Sequence, residues 1–179
     1  MAMTSFAESP PEPPGTLSDP RELLNAFLDF YRAAVLRKID GLPAHELRSS
    51  RLPSGWTPLE LLKHLAYVER RWLQWGFAAE QVDDPWGDNA DGDPARGWHV
   101  SAAETADSVR AFFLQQCERS RQITAAASLS QNGAAGGRFR GPGPAPTLAW
   151  ILFHLLQECA RHLGHLDVAR ELTDGVIGE

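Results

Sequence analysis

The sequence predicts an all-α protein, a four-helix bundle with long loops between its second and third and between its third and fourth helices. Three observations predict it. Four long stretches carry apolar residues at helical spacing, and three of them open on a capping signature. No stretch alternates apolar and polar residues convincingly, so no sheet is expected. Two runs rich in Gly, Asp and Pro, residues 81–100 and 130–146, separate the later helices, and long amphipathic helices joined by long connections read as a bundle.

The elements follow in order. Residues 1–18, with Pro10, Pro11, Pro13 and Pro14 among Ser, Glu and Gly, read as a flexible leader ahead of one domain over 19–175. The first helix opens at Asp19, with Pro20 at its first position and Glu22 completing a capping box. Leu23, Leu24, Phe27, Phe30, Tyr31, Ala34 and Leu36 form its apolar side, and Gly41 and Pro43 stop it. The second helix starts at Thr57-Pro58-Leu59-Glu60, the strongest cap in the chain, and runs to about Ala79. Leu61, His64, Leu65, Val68, Trp72 and Trp75 make one narrow stripe on it, with Lys63, Arg70 and Gln74 opposite.

The loop 81–100 holds Trp86, Trp98 and His99; its two tryptophans either pin it to the helices or cover a pocket mouth. The third helix opens at Ser101-Ala-Ala-Glu104, a further capping box, and runs to about Ala127, with Val109, Phe112, Phe113, Gln116 and Ile123 giving its apolar pattern. In the loop 130–146 the glycines match no phosphate-cradling motif, since no Gly-Lys-Ser/Thr follows. Arg138 and Arg140 there are either solvated or positioned to meet an anionic substrate. The fourth helix runs from about Thr147 to Leu172 and ends near Gly175.

Composition narrows the function classes. With 43% hydrophobic and 22% charged residues the chain has ordinary globular composition. A net charge of -6 offers no electrostatic footprint for nucleic acid or an anionic membrane. No stretch approaches the roughly 20 apolar residues of a membrane span, and no signal peptide is evident. Cys117 and Cys159 form no spacing motif, so a reducing cytoplasm is the expected setting. No nucleophile elbow and no dinucleotide fingerprint is present.

The chemistry concentrates in Trp150–Asp167. Wound at about 100° per residue, this segment puts Ile151, His154, Leu155, Glu158, His162, His165 and Ala169 on one face. Ionisable groups on a core face are costly unless they pair or bind a metal. Glu158 and His162, four apart, can point at one ion, and His64 interrupts the buried stripe of the second helix in the same way. Bundle interiors are where metal sites are built from facing helices. Two imidazoles and a carboxylate suit Zn²⁺, Fe²⁺, Ni²⁺ or Mn²⁺, and ligand type alone does not choose among them, Zn²⁺ being the first expectation. The alternative is a hydrogen-bonded polar network inside the core. Three protein ligands leave a position open, which marks a catalytic site. His154, one turn before Glu158, serves as a fourth ligand, as a partner that orients a ligand, or as a general base. His165 is the second catalytic candidate. Cys159 and Cys117 are expected to pack, and Arg161 to face the surface.

Leu36-Arg-Lys-Ile-Asp-Gly-Leu, Pro53-Ser-Gly-Trp-Thr-Pro, His64-Leu-Ala-Tyr-Val-Glu69 and Glu158-Cys-Ala-Arg-His162-Leu-Gly-His165-Leu-Asp together resemble the DinB superfamily, and within it the DUF664 (mini-circle protein) branch. The likeness covers roughly residues 20–174. It implies a four-helix bundle, often a homodimer, with a divalent metal held by one residue of the second helix and two of the last. His64, Glu158 and His162 match those positions. The His/Glu/His set is similar to that of mycothiol-dependent maleylpyruvate isomerase. That enzyme has a further C-terminal domain contributing to its site, whereas this chain ends about fourteen residues after His165, so what the resemblance implies here is metal-activated thiol chemistry. The expectation is an S-transferase that activates a low-molecular-weight thiol such as mycothiol, as co-substrate, toward a small electrophile. A metal-dependent small-molecule hydrolase using bound water, and a non-catalytic metal-binding dimeric bundle, are the alternatives.

Overall fold

A computed structural model describes residues 11–87 and 99–177. Residues 1–10 of the expected leader, and Trp98, lie outside the described residues. Among the described residues the chain is predominantly helical, with five α-helices and no strand; two isolated bridges, Asn132 to Thr147 and Gly136 to Phe139, are its only β pairing. The helices are α1 (Pro20–Ile39), α2 (Ala44–Leu47), α3 (Pro58–Glu69), α4 (Ala106–Ala126) and α5 (Leu148–Asp174), and α3 continues without a break into a π-helical segment, Arg70–Phe77.

The ends are set by the residues that close them. The Asp19 carboxylate accepts from the backbone N–H groups of Arg21 and Glu22 and satisfies two of the orphan donors of α1. Thr57 and Glu60 form the reciprocal capping box at the head of α3. Thr147 caps α5, and Gly175 closes it in the left-handed conformation at φ 76°, with its N–H donating to the Glu171 carbonyl. The start of α4 corrects the expectation from sequence. Glu104 does accept from the Ser101 backbone N–H, but it also takes the Lys63 ammonium at 2.9 Å; residues 101–104 close a single turn and Thr105 is extended. The helix begins one residue later, on a second capping box formed by Thr105 and Ser108.

The π-helical segment is the larger departure. A helix turning once per 3.6 residues buries Trp72 and Trp75 after Val68. Here the wider turn brings Leu73, Gly76 and Phe77 to the buried side and leaves both tryptophans half-buried, on the flank that faces the loop 130–146. That loop is stitched to the segment's end: Ala134 N–H donates to Phe77 O at 2.8 Å and Arg138 N–H to Trp75 O at 3.3 Å. Gly137 makes the approach possible. Its φ is 50°, and a Cβ there would overlap the Trp75 carbonyl. Gly137→Ala is expected to cost about 1–3 kcal/mol, which a melting curve reads at roughly 2–4 °C per kcal/mol for a chain of this size. An unchanged melting temperature would show that the loop is not held at this point.

Packing pairs α1 with α5 and α3 with α4, and α3 also lies against α5. The apolar core falls into two clusters. One gathers Val35, Leu61, Leu62, Leu65, Phe113 and Leu166. The other gathers Leu28, Val68, Leu73, Ile151, Leu152 and Leu155. A polar layer lies between them in every long element: Arg32 between Leu28 and Val35, Glu69 between Leu65 and Leu73, Ser120 between Cys117 and Ile123, and Glu158 between Leu155 and Cys159. Within it Arg32 and Glu69 form a bidentate ion pair at 2.8 and 2.9 Å, and the Ser120 hydroxyl donates to Glu69 Oε2 at 2.6 Å. No described helix is long and apolar enough to cross a membrane.

Candidate metal centre

The candidate site is built at this polar layer from two helices. His64 projects from α3, one and a half turns or more past the Thr57 cap, and Glu158 and His162 project from adjacent turns of α5. Both histidines are buried and the carboxylate is partly so. One ligand atom from each of the three lies within 4.8 Å of the others, so the group could hold a single metal ion. His162 Nε2 stands 3.2 Å and His64 Nε2 3.7 Å from the same oxygen, Glu158 Oε2. The imidazole rings of His64 and His162 meet edge to face, with centroids 4.8 Å apart. Hydrogen bonds from His162 and His64 hold the Glu158 carboxyl well below the usual carboxylate range, so it is anionic. Two imidazole nitrogens and one carboxylate oxygen are the donor set of Zn²⁺ and the neighbouring divalent metals, so the chemistry of the residues present fits such an ion.

The other two histidines of α5 flank this group. His165 Nδ1 lies 3.3 Å from His162 Nδ1. With His162 Nε2 turned to the cluster, its Nδ1–H donates to His165, which then carries its own proton on Nε2. Burial, with the neighbouring His162 and Arg161, pulls His165 below the ordinary imidazole value, in keeping with that neutral form. Trp56, the residue before the α3 cap, covers the His165 ring at 5.5 Å. His154 Nε2 is 3.6 Å from Glu158 Oε1, the oxygen the other two imidazoles leave. Its ring packs on Trp72 at 4.3 Å and parallel to Trp150 at 5.5 Å. Burial keeps His154 below its ordinary value; Glu158 opposes that, and Arg138 and Arg71 add to it.

No curated protein matches the chain. The family model described as mycothiol-S-transferase matches residues 23–175. The chain belongs to this mycothiol-S-transferase family. The match takes in α3, α4 and α5 whole, α1 from its fourth residue on, and all three residues of the candidate centre, and the family is DinB-like, as the sequence motifs implied. Cys117 and Cys159 are free but buried, and burial raises both, Cys159 to about 12.

The structure places the remaining residues singled out in the sequence as follows. Arg161 is exposed, and His99 is exposed with its carbonyl on Lys63. Trp86 packs edge-on against Trp75 at 5.4 Å, with the guanidinium groups of Arg71 and Arg138 each 4.4 Å from its ring. Arg140 is exposed, whereas Arg138 lies over Trp72. Sequence reasoning missed Arg71, Arg32 and Glu69. For the last two a signal existed: a charge at the spacing of the buried stripe on α1 and another on α3, which only pairing makes tolerable.

Proposed function

We propose that the chain is a metal-dependent mycothiol S-transferase that joins the thiol to a small electrophile. The observation that carries this reading is the convergence of His64, Glu158 and His162 in a chain of the mycothiol-S-transferase family. His64, Glu158 and His162 would hold the ion, Zn²⁺, Ni²⁺, Fe²⁺ or Mn²⁺, with Zn²⁺ as first choice although donor type alone does not select it. Once bound, a divalent cation supplies Lewis-acid chemistry that keeps a thiol in its reactive thiolate form.

The chain's own residues do the rest. His154, neutral and next to the cluster, takes the thiol proton at Nε2. The sulfur lone pair forms the new bond to the electrophilic carbon, and the leaving group departs with the electron pair of the bond that breaks. His165 fixes the orientation and tautomer of His162. Trp72 and Trp150 pack against the His154 ring and fix its position. The same reading takes α1, α3 with its π-helical continuation, α4 and α5 as the four-helix bundle of the DinB superfamily, in its DUF664 branch, working as a cytoplasmic homodimer.

The test is direct. Untagged protein is assayed for divalent metal by mass spectrometry, and mycothiol loss is followed with a panel of alkyl and aryl halides, before and after chelation. Metal near one equivalent and thiol consumption that stops on chelation and returns on metal addition are expected. Metal-replete protein that hydrolyses esters or amides without any thiol would replace this reading with a hydrolytic one.

A further inference from the structure

Arg138 is a cation that the metal centre does not account for. Its guanidinium lies 4.2 Å over the Trp72 ring and 4.4 Å from that of Trp86. Its Nη1 is buried and, among the described residues, has no hydrogen-bond partner. A second guanidinium, that of Arg71, contacts the same Trp86 ring. Burial and Arg71 push Arg138 down to about 10. A guanidinium with a buried donor unsatisfied costs free energy that an anion bound to it would recover. The backbone imposes this placement: the Arg138 N–H is bonded to Trp75 O, next to a glycine at positive φ. The position is also specific relative to the metal centre. Trp72 stands between Arg138 and His154, touching both, and His154 stands next to Glu158.

We propose that Arg138 is the anchor for a carboxylate on the electrophilic substrate. A planar guanidinium fork matches a carboxylate bidentately. Mycothiol carries no acid group, so the anion belongs to the second substrate. The assignment rests on the thiol-transfer reading only for its chemistry, and binding tests it separately.

The binding arm titrates the metal-loaded protein with nitrobenzoate and with nitrobenzamide, which differ in charge and little in shape, following tryptophan fluorescence and heat. The carboxylate is expected to bind roughly ten- to a hundredfold tighter than the amide, the range of a charge-assisted hydrogen bond. Arg138→Gln should erase that preference and Arg138→Lys keep part of it, both at the wild-type melting temperature. Equal affinities in the wild type would overturn the proposal. So would a preference that survives Arg138→Gln and vanishes in His162→Ala, because the metal centre would then be holding the acid.

The turnover arm supplies mycothiol with a chloronitrobenzoate or the matching chloronitrobenzamide. The thiolate sulfur bonds to the ring carbon bearing chlorine, chloride leaves with the C–Cl electron pair, and the thiol proton goes to His154. A lower KM for the acid that Arg138→Gln raises, with kcat nearly unchanged, is expected. Reaction with both at equal KM would sink the carboxylate anchor alone. Reaction with neither would count against the S-transfer reading, and the nitrobenzoate and nitrobenzamide affinities would then decide the role of Arg138 by themselves.

Discussion

His162→Ala should empty the candidate metal centre while leaving the helices in place. The imidazole is one of three donors and the one nearest the carboxylate, at 3.2 Å. Its removal leaves two of the three donors, His64 and Glu158, on different helices. Metal affinity is expected to fall by more than about a hundredfold, since removing an outer partner alone typically costs about 10–100-fold. His165→Ala tests that comparison: it takes away only the group that meets His162 Nδ1, so its loss should stay within the roughly 10–100-fold range. Alanine suits the middle of α5, so circular dichroism should report an intact helix in both. The measurements are metal stoichiometry by mass spectrometry and affinity by competition with a chromogenic chelator. If His162→Ala retains a full equivalent of metal at unchanged affinity, the three residues do not form the centre.

Much of this arrangement was legible in the chain because it depends on spacing within a helix. Glu158 and His162 share a face by their four-residue separation, and a histidine in the apolar stripe of α3 could be read as its counterpart. Caps are equally local, and Thr57-Pro58-Leu59-Glu60 closes as its sequence says. What escaped depends on contacts between distant residues. Ser101-Ala-Ala-Glu104 looks like a helix start, but Lys63 competes for Glu104 from α3, and the helix waits for Thr105. The π-helical turn over Arg70–Phe77 rephases the stripe by packing, with Gly76 admitting the Phe139 ring, which a 3.6-residue template cannot anticipate. The Arg138 contacts with Trp72 and Trp86 join three segments far apart in the chain, and no periodicity announces them.

The largest effect on stability is expected at Glu69, a residue outside the metal centre. Glu69→Leu would leave the Arg32 guanidinium buried between two apolar clusters with its main counter-charge gone. Asp29 meets only one of its nitrogens, at 2.9 Å from a half-exposed carboxylate that it shares with Arg121. Removing one member of a buried pair costs about 3–5 kcal/mol, which at roughly 2–4 °C per kcal/mol lowers the melting temperature by on the order of 6–20 °C. The double variant Arg32→Met/Glu69→Leu should recover most of this, because apolar replacement of both partners is often neutral or stabilising. Ser120 loses its acceptor in both variants, but a helical serine can turn its hydroxyl to the carbonyl four residues back. The double-variant cycle therefore isolates the ion pair, and a coupling of at least about 2 kcal/mol is expected between positions 32 and 69. A single variant no worse than an ordinary surface change, within about 0.5 kcal/mol, would mean that water reaches Arg32. The consequence for the metal centre follows from the shared layer. Cys159, the neighbour of Glu158, is packed where it feels both Arg32 and Glu69, so an unpaired Arg32 should loosen α5 at the turn that carries the carboxylate, and metal affinity should weaken in Glu69→Leu and return in the double variant.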